Sequence, residues 1–148
     1  MGQEKYRLVP RDKAALLVAM MKALAGSAHI SFEGTLSRCD FPPELQRSVE
    51  ETATLRRGTI APVQDFVVLP LEQETIRPIL DTVLPDSRFM NDVIHVQIEK
   101  GGTLQFWAYD NFHPDCVGCG PDIPRPLLEQ LCLSGVLRSY QTHPVDAP

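Results

Sequence analysis

Residues 95–109 read HVQIEKGGTLQFWAY, and residues 29–37 read HISFEGTLS, so the order His, apolar, polar, apolar, Glu, Gly, Thr, Leu recurs. In the first stretch, apolar residues alternate with polar ones on both sides of a Lys-Gly-Gly-Thr segment, the period of a two-stranded antiparallel ribbon. The requirement that facing residues share one side of the sheet selects a register. A two-residue Gly101-Gly102 turn sets Glu99 against Leu104, mixing polar with apolar. A three-residue loop of Lys100, Gly101 and Gly102 instead pairs Ile98 with Leu104, Val96 with Phe106 and Ile94 with Ala108, and the second arrangement is the expected one. It leaves an outer side carrying Glu99, His95 opposite Trp107, Gln97 opposite Gln105, and Tyr109 at the end.

Each copy of the echo follows an apolar, helix-like run. Residues 11–25 carry Asp12 at the start, good helix formers from Ala14 to Ala25, and Gly26 as a left-handed stop. This helix has few polar positions, so more than one of its faces is expected to be covered, which admits a dimer. A second helix is expected over 75–84, capped by Thr75, with Pro78 in its first turn and Ile76, Ile79, Leu80 and Val83 as its stripe. A third is expected over 123–134, starting near Asp122 and ending at Gly135. Further expectations are a hairpin-like segment at 29–38, a short helix within 42–51, strands at 65–69 and 136–140, and a flexible tail at 142–148.

The resulting fold class is α+β in a single domain, 1–148: an antiparallel sheet built from two helix-hairpin units, with about three helices on one face. The units, about 11–39 and 75–109, form a candidate internal repeat.

Composition bounds the function. The 148 residues are 43% hydrophobic and 22% charged, with a net charge of -5. An acidic chain with scattered basic residues lacks the cationic stripe that nucleic acid requires. The apolar run 14–21 falls short of the roughly 20 residues that span a bilayer, and no signal-peptide pattern precedes it, so neither membrane nor export is expected and the reading is cytoplasmic. Four cysteines then read as thiols or metal ligands before disulfides, although Cys39 and Cys132 would be free to pair in an exported chain.

Three constellations bear on chemistry. His113, Cys116 and Cys119 form H-x-x-C-x-x-C, a spacing that brings an imidazole and two thiolates around zinc, with Cys39 as the distant fourth ligand. Without zinc no cofactor is called for. His95, Glu99, His29 and Glu33 supply an acid-base set if the two copies lie side by side. Trp107 and Tyr109 are large rings on a predicted outer face, where they call for cover by the chain's own loops, a partner or a second copy. Partner-binding residues are therefore placed at His95, Gln97, Gln105, Trp107, Tyr109, Asp110 and Phe112. No nucleophile elbow or phosphate loop is present, and whether the chain is an enzyme is left open. The preferred reading is a small non-enzymatic binding or inhibitory protein that presents the sheet's outer side and the 110–121 loop to a protein partner, a basic one by the chain's overall charge. A zinc-stabilised module or metalloenzyme, and a small-molecule enzyme using a His/Glu pair, are the alternatives.

Overall fold

The computed structural model describes residues 5–37, 39–84 and 92–143. Seven strands form one antiparallel sheet: β1 (Lys5–Pro10), β2 (Ala28–Gly34), β3 (Asp65–Leu71), β4 (Val93–Lys100), β5 (Thr103–Ala108), β6 (Val117–Cys119) and β7 (Leu137–His143), in spatial order β3-β2-β4-β5-β6-β1-β7. Among the described residues three helices accompany it, α1 (Lys13–Leu24), α2 (Gln73–Val83) and α3 (Arg125–Leu133), with a 3₁₀ turn at Pro114–Cys116. The α+β class is as expected; the sheet is larger.

All three helices bury their apolar residues in one cluster with alternate residues of the strands, among them Leu8, Ile30, Phe32, Leu69, Val96, Ile98 and Phe106. We call that side of the sheet inner. The Asp12 side chain caps α1 by accepting from the Ala15 amide at 3.1 Å. Gly26, at φ +114°, ends that helix. Leu16, Leu17, Met20, Met21 and Leu24 are all buried, which explains the helix's scarcity of polar positions. Helix α2 begins two residues earlier than expected. Its N-cap is Glu72, whose amide donates to Thr75 Oγ1 at 2.9 Å, and Pro78 therefore lies inside the helix.

The 93–109 hairpin takes the register that strict alternation rejects. Gly101 and Gly102, at φ +64° and +79°, form a two-residue turn that sets Lys100 against Thr103 and Glu99 against Leu104. A bulge then absorbs Gln105, so that Ile98 faces Phe106 and Val96 faces Ala108. The bulge restores an apolar inner side beyond it. Leu104 is left on the outer side, where it packs against Leu55, Phe66 and Val68. A second irregularity, between Glu33 and Gly34, sets Val93 against Gly34, and Val93 rather than Ile94 enters the core.

The 29–38 hairpin does not exist. β2 is a single strand flanked by β3 and β4, and the first helix-hairpin unit reduces to a helix and a strand. Gly34 is no turn residue: at φ +155° it lies so close to Asp92 that an added Cβ would meet the Asp92 carbonyl oxygen at 2.2 Å. Residues 42–51 hold turns and a bridge from Ser48 to Val68, without a helix. The strand expected at 136–140 extends to His143, so 142 and 143 belong to the sheet, and 144–148 lie outside the described residues. Among the described residues no helix is long and apolar enough to cross a membrane.

Candidate functional site

Because β2 and β4 run antiparallel, the two H-x-x-x-E segments, 29–33 and 95–99, meet head to tail: His29 opposes Glu99, Ser31 opposes Gln97, and Glu33 opposes His95. Strand alternation places all six on the outer side. The acid-base residues named from the sequence are thus brought together, in two pairs with different surroundings. His29 Nδ1 lies 3.4 Å from Glu99 Oε1 at the surface, with the histidine side chain 52% exposed. An ion pair that wet contributes little. Glu33 and His95 are buried, at 1% and 9% exposure.

Residues 48–64 bury them. This segment crosses the outer side of β3, β2 and β4 as a strap, and the strands' polar side chains hold it. Glu33 accepts from the Gly58 amide at 2.7 Å through Oε1 and from the Thr59 amide at 3.1 Å through Oε2. Gln97 donates to the Arg56 carbonyl at 2.6 Å. His95 Nδ1 accepts from the Asp110 amide at 3.1 Å, which places the proton of the neutral ring on Nε2, 2.8 Å from Thr59 Oγ1. Leu55 adds an apolar anchor against Phe66 and Val68. Gly58 passes so close that an added Cβ would stand 2.9 Å from His95 Cδ2. Both nitrogens of His95 and both oxygens of Glu33 are therefore engaged by the chain itself. A general base must reach a substrate proton, whereas in this structure the strap and the Asp110 amide occupy the polar atoms of this pair.

Beyond the strap, the outer side of β5, β6 and β1 keeps surface in solvent. The Trp107 indole lies against Gly118, where an added Cβ would stand 2.4 Å from Cζ2. Trp107, Tyr109, Leu104 and Lys5 line a shallow groove of about 210 Å³. Arg7 follows on the same side of β1, opposite Gly118. The Tyr109 ring stands edge-on to His95 with centroids 5.4 Å apart, and its hydroxyl donates to Gln97 Oε1 at 3.4 Å. Burial, and then the Glu33 charge, raise the Tyr109 hydroxyl above its ordinary value.

Of the seven expected partner-binding residues, Trp107, Tyr109 and Asp110 keep exposed surface. His95 and Gln97 lie under the strap. Gln105 is buried in the bulge and accepts from the Asp122 amide at 3.0 Å. Phe112 is a core residue, 2% exposed and 6.3 Å from the Phe106 ring. A turn with Asp110, Asn111 and Phe112 at φ +54°, +56° and +59° precedes the 3₁₀ segment and accompanies that inward placement. Left-handed backbone costs about 1–2 kcal/mol per residue. Bonds from the Asp110 amide to His95, from the Asn111 amide to the Ile94 carbonyl at 2.7 Å, and from Lys13 to Asn111 Oδ1 at 3.0 Å hold the turn.

The H-x-x-C-x-x-C segment does not assemble a ligand set. His113 caps the 3₁₀ turn, its Nδ1 accepting from the Asp115 amide at 3.1 Å. Cys119 points from β6 into the core, fully buried, while Cys39 lines a separate cleft with Leu36 and Phe41. Among the described residues no three His, Cys, Asp or Glu side chains are placed to hold a metal.

Burial pushes the Cys119 thiol up to about 12, from an ordinary value of 9.0. The folded state therefore keeps a proton that the unfolded chain releases. Its contribution is intact below pH 9.0 and declines as pH rises toward about 12. In that window the stability difference between the native chain and Cys119→Ala should change by about 1.4 kcal/mol per pH unit in favour of the variant. Urea unfolding at three alkaline pH values measures it, and a constant difference would contradict the assignment.

The residues missing from the sequence-based set are Lys5, Arg7, Leu104, Gly58, Thr59 and Gly118. None carries a local signal, because each gains its role from a strand or strap distant in the chain. No family model, no curated protein and no solved structure matches this chain.

Proposed function

We propose that this is a binding protein that takes an acidic segment of a partner protein onto the open half of its outer sheet face. The observation that carries this reading is the chain's one tryptophan, fixed against Gly118 with part of its surface in solvent, beside Lys5 and Tyr109 in an open groove. Aromatic anchors with a polar rim are what protein interfaces enrich. The local charge selects the partner. Lys5 and Arg7 flank the rings, and the neighbouring outer positions of β6 and β7, Gly118, Ser139 and Gln141, are uncharged, so the β1 side of this patch is cationic on a chain of net charge -5, with Glu99 and Asp110 at its opposite margin. An acidic partner therefore replaces the basic one that overall charge suggests. The strap and the engaged Glu33 and His95 favour binding over catalysis on this face.

Tryptophan emission, titrated with the peptides Glu-Asp-Phe-Asp-Glu and Lys-Arg-Phe-Arg-Lys, tests the proposal. The acidic peptide should shift the emission and the basic one should not. Lys5→Glu should weaken the acidic peptide about tenfold, and added salt should weaken it further. Equal responses to both peptides, or an unchanged affinity in Lys5→Glu, would overturn the reading.

A further inference from the structure

A cleft of about 620 Å³ lies at the other edge of the sheet, between the strap and Leu36, Ser37, Cys39 and Phe41. That size is in the range of roughly 300–1,000 Å³ typical of small-molecule sites. Its apolar walls come from Leu36, Phe41, Val49, Val63 and Phe66. Val49 and Val63 are 65% and 67% exposed, and they are two of the four large hydrophobic residues found exposed among those described. Apolar surface left open beside a cleft marks a place where something else supplies the cover.

Charge narrows the occupant. Arg47 and Arg57 also line the cleft. Arg57 is held in place, its guanidinium 5.1 Å above the Phe66 ring and bonded to the Gln64 carbonyl, which occupies one of its five donors. Arg47 has no side-chain partner among the described residues. Asp65 is the one carboxylate among the lining residues, and its Oδ2 is engaged by the Leu36 amide at 3.0 Å. Burial, and then the Asp92 charge, raise the Cys39 thiol above its ordinary value, so this lining residue adds no second anion at neutral pH.

We propose that this cleft is a binding site for a small carboxylate with an apolar body, its hydrocarbon against Phe41, Val49, Val63 and Phe66 and its carboxylate on Arg47 and Arg57. Guanidinium groups suit this role because their planar donors match a carboxylate in pairs. The site is independent of the Trp107 face, from which the strap separates it.

Titration of the ¹⁵N-labelled full chain with decanoate, and separately with decyltrimethylammonium, both below their micelle concentrations, tests the assignment. Decanoate should shift the amides of Ser37, Val49, Gln64 and Val67, and the cation should not. Arg47→Gln, at an exposed position without a side-chain bond, should keep the melting temperature and weaken decanoate about tenfold. Val63→Asp should weaken it at least as much. The proposal is overturned if the two amphiphiles shift the same amides with equal affinity, if decanoate shifts none of them, or if Arg47→Gln binds decanoate as the native chain does.

Discussion

Glu33→Ala should lower stability by about 2–4 kcal/mol, because the bonds from the Gly58 and Thr59 amides to the carboxylate are lost together, and a hydrogen bond to a charged group contributes about 1.5–3 kcal/mol. Opposing this, removal of a carboxylate that is 1% exposed relieves its desolvation. The loss prevails because both oxygens are bonded in the native state and the strap's other anchors, Thr59 to His95 and Arg56 to Gln97, depend on the same backbone position. For a chain of this size the expected drop in melting temperature is roughly 5–15 °C. Glu33→Gln should fall between, since its amide keeps one acceptor oxygen and turns an NH₂ toward the second backbone donor. Thermal unfolding followed by circular dichroism measures both, and a drop below about 2 °C for Glu33→Ala would contradict the anchoring role.

Gly118→Val should displace the indole of Trp107. The added Cβ would meet Cζ2 at 2.4 Å, Cε2 at 2.6 Å and Nε1 at 2.7 Å, separations that no small adjustment of a packed ring relieves. Valine suits a strand better than glycine, so any loss of stability comes from the ring and not from the backbone. The tryptophan emission should move to longer wavelength, acrylamide should quench it more readily, and about 2–3 kcal/mol of stability should be lost with the ring's burial. Because both substitutions then remove one contact, Gly118→Val with Trp107→Ala should cost less than the sum of the two alone. An unchanged emission spectrum would show that the indole does not rest on β6.

What the sequence disclosed was local in origin. The Asp12 cap, the Gly26 stop and the stripe of Ile76, Ile79 and Val83 are written within single helices, and the structure places those helices close to the expected positions. The inner positions Phe106 and Ala108 were legible from alternation. Leu104 was not, because the bulge at Gln105 inserts one residue and transfers Leu104 to the other side of the sheet. Resemblance between the two His/Glu segments misplaced a turn at Gly34, where glycine is needed for close backbone approach to β4. The sequence left open whether the two segments lie side by side; in the sheet they do, and antiparallel pairing joins each histidine to the other copy's glutamate. The strap lay beyond reach: its bonds to Glu33, His95 and Gln97 span 25 to 41 residues, and nothing in the polar run 48–64 points to those partners. Phe112 was misassigned for a related reason, since a phenylalanine in left-handed backbone has no signature in composition or periodicity.

Residue-by-residue hydrogen exchange is the most direct test of the division of the outer face into a strapped half and an open half. The Gly58 and Thr59 amides, on a segment without strand or helix structure, should exchange as slowly as amides of β2 and β4, while Glu50 and Ala53 exchange quickly. If Gly58 and Thr59 instead exchange as fast as Glu50 and Ala53, the strap is not fastened to Glu33, and the covered half of the face is open as well.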